Sequence, residues 1–492
     1  MKRRKNAHSH SRSTDYLPIS VHAPRAGCDS TRQFHSASQS YFNPRTHAGA
    51  ANQSGILSVP HFHFYYITLA SNPLYFFILS VIIKGTELFR KKGRILMQPT
   101  VQELLSSAQE IKQEILADRR TIHQNPEVGT HLPTTKAYVT KRLIELGYEP
   151  QELCESGIVA TITGKNTGRC MLLRADMDAL RIQEQTSLPF QSENGSMHAC
   201  GHDMHTAMLL GAAKLLRQYQ AQLNGTVKLV FQPDEEGFTG AKSMLQAGVL
   251  NNPKPQIGLA LHVNSGTPSG LILCGRGTFM AGCTLFRIAV HGVGCHGAMP
   301  ETGVDPLNIA AHIYLSLQEL ISREISAKQP AVVTIGHMQG GQAPNIIPQS
   351  AILEGTIRTF DRDLTARIMQ RMEAIAKCTA QAFRGSAEVT ELASAPPLVN
   401  DPDLVNQMAD FAQQLVGEQA VYRLDEGGMG SEDFSSYTYE LPCAYLLLGA
   451  GTSNENPLYG KPMHNEKVVF NEDVLPLGAA LHTWCALNWL SQ

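Results

Sequence analysis

The segment RCMLLRADMD (residues 169–178) decides the fold, together with GTVKLVFQPDEEG (225–237) and QIGLALHV (256–263). Each contains a short, nearly continuous apolar run, which is typical of a strand buried on both faces of a sheet. Between the first two lies HTAMLLGAAKLLRQYQ (205–220), whose apolar residues recur at helical spacing. Strands and helices that alternate in this order predict an α/β fold with a mostly parallel central sheet.

Beyond this region the pattern changes to strands in which apolar and polar residues alternate, as in SAILEGTIRTF (350–360). Two helical patterns lie among these strands, and the β-α-β-β-α order predicts a small α+β unit. A chain of 492 residues is long for one core, so more than one domain is expected. We predict an α/β domain formed by residues 97–283 and 393–492, interrupted by an inserted α+β domain at 284–392.

Residues 1–96 do not fit this organisation, and residues 1–60 show neither a helical nor a strand period. Residues 64–83 form a run of twenty without a charge, but Pro73 interrupts it. The remaining apolar stretch is too short to cross a bilayer. We therefore interpret 1–96 as an upstream extension, with a working protein that begins near Met97. A membrane anchor at 64–83 and a targeting segment are the less favoured alternatives.

The composition excludes some classes of function and indicates a compartment. Lys and Arg number 41 against 43 Asp and Glu, so no broad basic field predicts a nucleic-acid partner. The ten cysteines are scattered without the paired spacing of a disulfide framework or a zinc ribbon. They are expected to be reduced thiols, which favours a cytoplasmic location.

Polar residues follow the three apolar strands. They are Asp176 and Asp178 after the first strand, Asp234, Glu235 and Glu236 after the second, and His262 at the end of the third. Ligands bind at the carboxyl ends of strands in open α/β sheets. We therefore expect these side chains to converge, together with the segment MHACGHDMHT (197–206) that leads into the helix after the first strand.

This convergence predicts a metal site. Two adjacent glutamates are costly to bury without a counter-charge, and a divalent cation supplies one. One carboxylate could then ligate the metal while its neighbour acts as a proton shuttle. MHACGHDMHT offers further donors, namely His198, Cys200, His202, Asp203 and His205. A nucleophilic Cys200 with His202 as its base and a polar turn without function are the alternatives. A zinc nucleobase deaminase is disfavoured because its PCxxC element is absent.

A set of ordered motifs resembles the M20 family of metallopeptidases. They are RADMDAL, MHACGHDMHTAMLLGAA, FQPDEEGFTGAKSMLQAGVL, ALHV, HGAMP with GVDP, APNIIP, GTIRTF, GSEDF and PMHN. They are most similar to its amidohydrolase branch, which includes hippurate hydrolases, N-acyl-amino-acid hydrolases and hydrolases of auxin (IAA) conjugates. The resemblance covers nearly all of residues 97–492. It implies a zinc-peptidase-like catalytic domain interrupted by a dimerisation domain, and hence a homodimer.

The resemblance also implies a centre of two divalent metal ions. The residues that match the family's metal ligands are Cys200, His202, Glu236, His262 and His464. Glu235 matches the catalytic base, and Asp176 and Asp178 match groups that orient the ligands. His205 lies one helical turn beyond His202, so its spacing places it beside the site as a supporting residue. The favoured interpretation of His205 is nevertheless a structural histidine whose ring nitrogens are satisfied by hydrogen bonds.

Three residues of the inserted domain match family positions that meet the substrate. His296 resembles the histidine that approaches the scissile carbonyl, often across a dimer. We therefore predict that His296 and Glu235 are the catalytic residues. Asn345 and Arg358 resemble groups that bind the polar end of the substrate, where arginine suits a carboxylate. Each also has a plain structural reading, as a turn residue for His296 and Asn345 and as a solvated strand residue for Arg358.

The expected reaction is hydrolysis of an N-acyl-amino acid, a small molecule, to a carboxylic acid and a free amino acid. An N-acetyl-diaminopimelate-type deacetylase or an aminoacylase of the same family is the alternative. Two further alternatives do not belong to the family: a cysteine-nucleophile amidase and a non-catalytic metal-binding scaffold. Mn²⁺ or Zn²⁺ is the expected metal, and Co²⁺ or Ni²⁺ would also suit a mixture of thiolate, imidazole and carboxylate.

Three positions depart from the family pattern without removing a ligand. Arg181 stands where proline is usual after RADMDAL, and Cys295 replaces a usual glycine before His296. Asp234 stands where alanine is common, and its charge is expected to raise the pKa of Glu235 by like-charge repulsion. These departures bear on substrate preference and rate more than on the type of reaction.

Overall fold

The structure is a computed structural model that describes residues 98–166 and 168–492. The predicted extension at 1–96, with the apolar run at 64–83, lies outside the described residues. Among the helices within the described ranges, none is long and apolar enough to cross a membrane.

The described chain alternates between strands and helices. The strands are β1 Gln151–Leu153, β2 Gly157–Thr163, β3 Cys170–Asp176, β4 Thr226–Gln232, β5 Ile257–Asn264, β6 Ile272–Gly275, β7 Gly277–Met280, β8 Gly282–His291, β9 Cys295–His296, β10 Ala331–Gly340, β11 Ile346–Ile347, β12 Ser350–Thr359, β13 Ser386–Ala395, β14 Leu398–Asn400, β15 Val421–Leu424 and β16 Cys443–Gly449. The α-helices are α1 Val101–Glu110, α2 Lys112–His123, α3 Pro133–Glu145, α4 His202–Gln218, α5 Gly240–Gln246, α6 Pro306–Glu319, α7 Arg362–Ala382, α8 Pro402–Val416 and α9 Leu475–Leu490.

Eight strands form one sheet in the order β1-β2-β4-β3-β5-β16-β6-β15. The central pairs β4-β3, β3-β5 and β5-β16 are parallel, whereas β1, β2 and the β16-β6 pair are antiparallel. The prediction of a mostly parallel central sheet is therefore confirmed. Since β3 lies between β4 and β5, the carboxyl ends of these three strands meet at one edge.

Both faces of this sheet are covered, as its nearly continuous apolar strands predicted. Strand β3 shows how successive side chains divide between the two faces. Met171 and Leu173 belong to the large core that includes α4 and α9. Leu172 faces the opposite side, where it joins Met244 of α5 and Phe434.

A second sheet is built from the strands β10-β12-β8-β13, and all of its pairs are antiparallel. Helices α6 and α7 pack on it around a separate core that includes Phe286, Ile313 and Met372. We call residues 282–395 the small-sheet part and the remaining described residues the large-sheet part. The chain enters the small-sheet part at β8 and leaves it at β13. The predicted domain boundaries at 284 and 392 fall within these two strands and stay a prediction.

The amphipathic pattern of residues 102–126 predicts one helix that stops at Pro126, but two helices are present. The first, α1, begins with a capping box in which the side chain of Thr100 accepts from the backbone of Glu103 and the carboxylate of Glu103 accepts from the backbone of Thr100. The helix is interrupted at Ile111, whose φ of −92° and ψ of 7° leave the helical region. Helix α3 ends before Gly147, which has the positive φ of 81° that glycine favours.

The core position of Leu173 yields a stability prediction. Leu173 is fully buried, so Leu173→Ala should lower the free energy of unfolding by about 2–5 kcal/mol because it leaves a cavity in a packed core. Urea unfolding followed by circular dichroism measures this change. The control is Ile144→Ala at a side chain that is 59% exposed, which should change the free energy by less than about 0.5 kcal/mol. Equal effects of the two substitutions would contradict the assignment of Leu173 to the core.

Candidate metal centre

Four segments bring ionisable side chains to the edge where β3, β4 and β5 end. Strand β3 ends in Asp176, and the turn after β4 carries Glu235 and Glu236. Strand β5 carries His262, and helix α4 begins at His202. The parallel pairing of β3 with both β4 and β5 produces this convergence.

The thiol of Cys200 lies at the centre of a cluster of donor atoms. Its Sγ is 3.5 Å from Nε2 of His262 and 3.3 Å from Nε2 of His464. His464 Nε2 is also 3.2 Å from Oε1 of Glu236. Cys200, Glu236 and His464 form one group whose donor atoms all lie within 4.8 Å of one another, and Cys200, His202 and His262 form a second such group. The structure thus brings together all five residues predicted as ligands.

His202 carries a ring nitrogen that no hydrogen bond satisfies within the described chain. Its Nε2 is buried and unpartnered, and it lies 3.7 Å from Oε2 of Glu235 and 3.9 Å from Oδ2 of Asp176. The other nitrogen, Nδ1, is 2.9 Å from the carbonyl oxygen of Asp178. A hydrogen bond from Nδ1 to this carbonyl leaves the lone pair on Nε2, which is the arrangement of a metal-binding histidine.

Gly201 sets the position of the two ligands beside it. It is the residue before α4, with a φ of 88°, and a Cβ atom there would lie 2.4 Å from Cγ2 of Val263. Only glycine fits this turn, because an added side chain would meet both backbone strain and a collision. The turn directs Cys200 and His202 toward the same edge of the sheet.

Asp178 supports the two glutamates through their backbone. Its carboxylate accepts hydrogen bonds from the backbone N–H groups of Glu235 at 3.0 Å and Glu236 at 3.1 Å. The same side chain lies 3.3 Å from Nδ1 of His202. Asp178 therefore contacts three of the predicted site residues without itself joining a group of donors that could hold a metal.

Asp176 and His205 form a second layer of support. Oδ1 of Asp176 lies 2.6 Å from Nδ1 of His205. Nε2 of His205 accepts from the backbone N–H of Val263, next to His262, at 2.8 Å. His205 is therefore held between β3 and β5. Asp176 and His205 also form a group with His202 in which the donor atoms all lie within 4.8 Å of one another.

The charges around the cluster are unbalanced. Burial raises the pKa of the Glu235 carboxyl well above its usual range, and the charges of Glu432 and Glu236 raise it further. Burial and the charge of Glu236 also raise the pKa of the Cys200 thiol. Hydrogen bonds to Cys200 and Glu236 raise the pKa of His464 to about 10. These shifts reflect burial and the negative charge of the neighbouring carboxylates, which a bound metal ion would offset.

Asp234 was expected to raise the pKa of Glu235, but other groups dominate. The leading charges on Glu235 are those of Glu432 and Glu236. The carboxylate of Asp234 instead accepts a hydrogen bond from the hydroxyl of Thr239. Burial raises the pKa of Asp234 itself.

A buried network beneath the cluster was not assigned any role from the sequence. Arg174 of β3 contacts Asp176 at 2.6 Å, Glu432 at 3.0 Å and Asp433 at 2.9 Å, and its own side chain is 1% exposed. The backbone N–H of Asp433 donates to Oε1 of Glu235 at 3.2 Å. The sequence signals that pointed to this network were the GSEDF motif, which contains Glu432 and Asp433, and the RADMDAL motif, which contains Arg174 and Asp176.

A second network lies behind the first turn of α4. The carboxylate of Asp203 accepts from Nε of Arg119 at 2.9 Å and lies 2.8 Å from Nδ1 of His123. Asp203 is fully buried, and Arg119 also pairs with Glu472 at 2.9 Å. Asp203 therefore anchors α4, while His198 is buried nearby with neither ring nitrogen hydrogen-bonded among the described residues.

The three predicted residues of the small-sheet part are not bonded to this cluster within the described chain. His296 is exposed in β9, and its Nδ1 accepts from the backbone of Ala298 at 3.0 Å. Asn345 is exposed beside His296, and its backbone carbonyl accepts a hydrogen bond from the backbone N–H of Gly297 at 2.8 Å. Arg358 of β12 donates to the carbonyl of Met429 at 2.9 Å and to the hydroxyl of Ser431 at 3.0 Å. The roles of these three residues in substrate binding stay predictions.

The donor set fits divalent metal ions. It combines a thiol, imidazole nitrogens and carboxylate oxygens, includes a buried and unpartnered His202 Nε2, and lies at the edge where α/β sheets bind their ligands. Glu235 lies beside this donor set. It makes no ion pair with a lysine or arginine within the described chain, so it is available for proton transfer. This arrangement suits metal-assisted hydrolysis.

Comparison with known proteins places the chain in a family. A model of the peptidase family M20/M25/M40 matches residues 172–488. The chain is 35% identical over 374 residues to the hippurate hydrolase of Campylobacter jejuni, with 76% of this chain and 95% of that protein covered. It is 38% identical over 342 residues to the N-acetylcysteine deacetylase of Bacillus subtilis, with 68% and 88% covered.

A solved structure gives the same result. The YxeP protein of Bacillus subtilis, described as a dinuclear metal-binding peptidase of the M20 family, superposes with a TM-score of 0.65 at 32% identity. The match covers 78% of this chain and 99% of that one. The chain therefore belongs to the M20 peptidase family, as its motifs predicted, and it is a hydrolytic enzyme that acts on amides.

Proposed function

We propose that the protein hydrolyses N-acyl-amino acids to a carboxylic acid and a free amino acid, with Glu235 as the catalytic base. The observation that carries this proposal is the placement of Glu235. One carboxylate oxygen accepts from the backbone of Asp433, and the other lies 3.7 Å from the unpartnered Nε2 of His202. The base is thus held beside the donor cluster through Oε1, while its Oε2 faces the cluster.

We assign the binding of two divalent ions to Cys200, His202, Glu236, His262 and His464. The dinuclear metal-binding peptidase YxeP supports this assignment, as does the unpartnered Nε2 of His202. When bound, the ions would acidify a water molecule and polarise the amide carbonyl of the substrate. Mn²⁺ and Zn²⁺ are the favoured metals for this mixture of hard and soft donors, and Co²⁺ and Ni²⁺ are the alternatives.

Glu235 then transfers one proton in two steps, first from the water to itself and later from itself to the departing amine. It takes a proton from the attacking water, whose oxygen adds to the amide carbonyl carbon, and it later delivers that proton to the departing amine as the C–N bond breaks. Burial raises the pKa of the Glu235 carboxyl well above its usual range, which makes this carboxylate a stronger base than an exposed one. Asp178 keeps the backbone of Glu235 in place during both steps.

The small-sheet part is proposed to complete the site. His296 donates a hydrogen bond to the oxygen on which negative charge develops, and Asn345 binds the polar end of the substrate. The two residues are neighbours across the β9–β11 pairing, in which His296 is opposite Ile346. This pairing supports their action as one unit, and their exposure leaves them free to approach a substrate.

A second candidate is the removal of an acetyl group from an N-acetyl-amino acid. The 38% identity to N-acetylcysteine deacetylase favours it, and an acetyl-diaminopimelate-type substrate or a general aminoacylase activity belongs to the same class. Assay of the full chain, loaded with each metal in turn, on benzoyl, indole-acetyl and acetyl conjugates separates these candidates. The acyl group with the highest kcat/KM identifies the substrate class.

We also propose that the protein works in the cytoplasm. The nine cysteines in the described ranges are free. A thiol that ligates a metal, as proposed for Cys200, must stay reduced, and reducing compartments maintain this state.

Replacing the base should separate chemistry from metal binding. Glu235→Gln should lower kcat by about 10²–10⁴-fold because an amide can neither accept nor return the proton. Metal content, measured by atomic emission on the purified protein, should not change. The control is Glu193→Gln at an exposed glutamate, which should retain wild-type turnover. Intact turnover in Glu235→Gln with the metal still bound would refute the assignment.

Metal removal should distinguish a ligand from a nucleophile at Cys200. We expect a chelator to abolish hydrolysis and Mn²⁺ or Zn²⁺ to restore it. Iodoacetamide labelling, located by mass spectrometry, should modify Cys200 only after metal removal, whereas the exposed Cys154 and Cys378 should be modified in both states. A cysteine-nucleophile amidase would instead keep its activity without metal and lose it to alkylation.

We propose a homodimer formed through the small-sheet part. Large apolar side chains are exposed there on α6 and on the edge strand β10, and they include Leu315 at 64%, Tyr314 at 41% and Met338 at 43%. Exposed large apolar side chains are typical of interaction surfaces. Light scattering after size exclusion should give twice the chain mass of 53.8 kDa. Leu315→Asp should shift the equilibrium toward the monomer, whereas Ile144→Asp on α3 should not, and a wild-type monomer would contradict the proposal.

A further inference from the structure

We infer that His123 is a positioning residue which, as a buried imidazolium, connects the two chain segments that carry the proposed ligands His202 and His464. The first segment is the start of α4. The second is PMHNE (residues 462–466), which His123 reaches through residues 184–192, the segment that we call the Glu184 loop. This inference rests on the proposed assignment of the metal ligands.

The geometry around His123 requires a hydrogen on both of its ring nitrogens. His123 is the last residue of α2, and its side chain is 2% exposed. Its Nδ1 lies 2.8 Å from Oδ2 of Asp203, and its Nε2 lies 3.1 Å from Oε1 of Glu184. An ionised carboxylate can only accept a hydrogen bond, so each ring nitrogen has to donate one. Only the imidazolium form carries two N–H groups.

The surroundings favour this charged form. Burial opposes ionisation of Glu184, but its hydrogen bonds, led by the one from His123, lower the pKa of Glu184 to about 2. Asp203 also accepts from the guanidinium of Arg119 at 2.9 Å, which favours its carboxylate form. Burial lowers the pKa of His123, but the charge of Asp203 and the hydrogen bonds to both carboxylates outweigh burial and raise it. The carboxyl end of a helix also stabilises a cation.

Glu184 depends on His123 for a compensating charge. It is 2% exposed, and its ion pair with His123 is the only one that it forms within the described ranges. Its other hydrogen bonds come from the backbone N–H of Ser192 at 2.8 Å and from the hydroxyl of Thr186, and both donors belong to the Glu184 loop itself. Without the imidazolium, Glu184 would be a buried and unpaired carboxylate. The free-energy cost of that state favours expulsion of Glu184 to solvent.

The Glu184 loop reaches His464 through the backbone. The N–H of Gln185 donates to the carbonyl of Glu466 at 2.8 Å, two residues beyond His464. The N–H of His464 itself donates to the carbonyl of Ala199 at 2.9 Å. These two hydrogen bonds hold PMHNE at two points, and one of them comes from the residue next to Glu184. Expulsion of Glu184 should therefore loosen the segment that presents His464.

The connection to His202 is less sensitive to loss of His123. Asp203 directly follows His202, and its Oδ2 is the atom that contacts both His123 and Arg119. Arg119 would still bind Asp203 if the imidazolium were removed. We therefore expect the loss of His123 to loosen PMHNE and to leave the start of α4 in place.

The first part of the test removes the cation in the full chain. In metal-free His123→Gln, amide hydrogen exchange over residues 184–192 and 463–468 should accelerate, whereas exchange over 203–215 in α4 should not change. Zn²⁺ affinity, measured by competition with a chelator, should fall about tenfold, the scale of the loss when a supporting residue of a metal site is replaced. At saturating Zn²⁺, KM should stay within about twofold of the wild type, because the buried His123 does not contact the substrate.

The second part distinguishes charge from packing. The double variant His123→Gln with Glu184→Gln removes the carboxylate that the single variant leaves unpaired, so it should recover slow exchange and Zn²⁺ affinity to within about threefold of the wild type. Glu184→Gln alone should also stay within about threefold, because its amide can donate to a neutral imidazole. The matched control is His131→Gln, at a histidine that is 72% exposed and pairs with Glu155 at 2.9 Å. It should leave every readout unchanged.

Three results would overturn the inference. Unchanged exchange and Zn²⁺ affinity in His123→Gln would show that neither segment depends on the imidazolium. A double variant without recovery would show that His123 acts through packing rather than charge. Faster exchange in the Glu184 loop with unchanged Zn²⁺ affinity would show that the loop does not act on His464.

Two further outcomes keep the test decisive. If His123→Gln does not fold, a folded double variant with near wild-type Zn²⁺ affinity supports the inference, and an unfolded double variant contradicts it. If the Zn²⁺-loaded wild type hydrolysed no amide, the proposed function would fail, whereas the exchange and affinity measurements would still decide the role of His123.

Discussion

Arg174 provides the buried positive charge around which the active-site edge is organised. It lies on the central strand β3 and contacts Asp176, Glu432 and Asp433 with its side chain almost completely buried. A cation in this position costs desolvation energy, which charge-assisted contacts to several carboxylates offset. Because Asp433 then orients Glu235 through its backbone, the placement of the proposed base depends on this interaction.

The contacts of Arg174 also distinguish two groups of donor residues that could each hold a metal. Glu235, Glu432 and Asp433 form one such group, but Arg174 already contacts two of its members. Cys200, Glu236 and His464 form another group, in which Glu236 makes no ion pair with a lysine or arginine within the described chain. The raised pKa values of Cys200 and His464 reflect this deficit of positive charge. The second group, joined by His202 and His262, is therefore the one that suits a metal.

Much of the fold could be predicted from local patterns. The apolar runs of β3, β4 and β5 and the helical period of α4 predicted the parallel sheet, and its strand ends predicted which polar residues would meet. Other features lacked a local signal. The break at Ile111 depends on one residue's backbone dihedrals within an otherwise continuous helical pattern. Likewise, Arg174 stands inside an apolar strand, where nothing nearby in sequence shows that its partners lie 258 and 259 residues further along the chain.

The sequence alone determined the family, the α/β class and the identity of the donor residues, because these follow from residue type, period and motif order. Only the tertiary structure decided the partners of each donor, because those contacts join segments that are distant in the chain. His464 meets Cys200 across 264 positions, and Glu235 owes its raised pKa to burial and to Glu432 rather than to its neighbour Asp234. Arg358 likewise lies against Ser431, a contact that arises from the packing of two separately folded sheets.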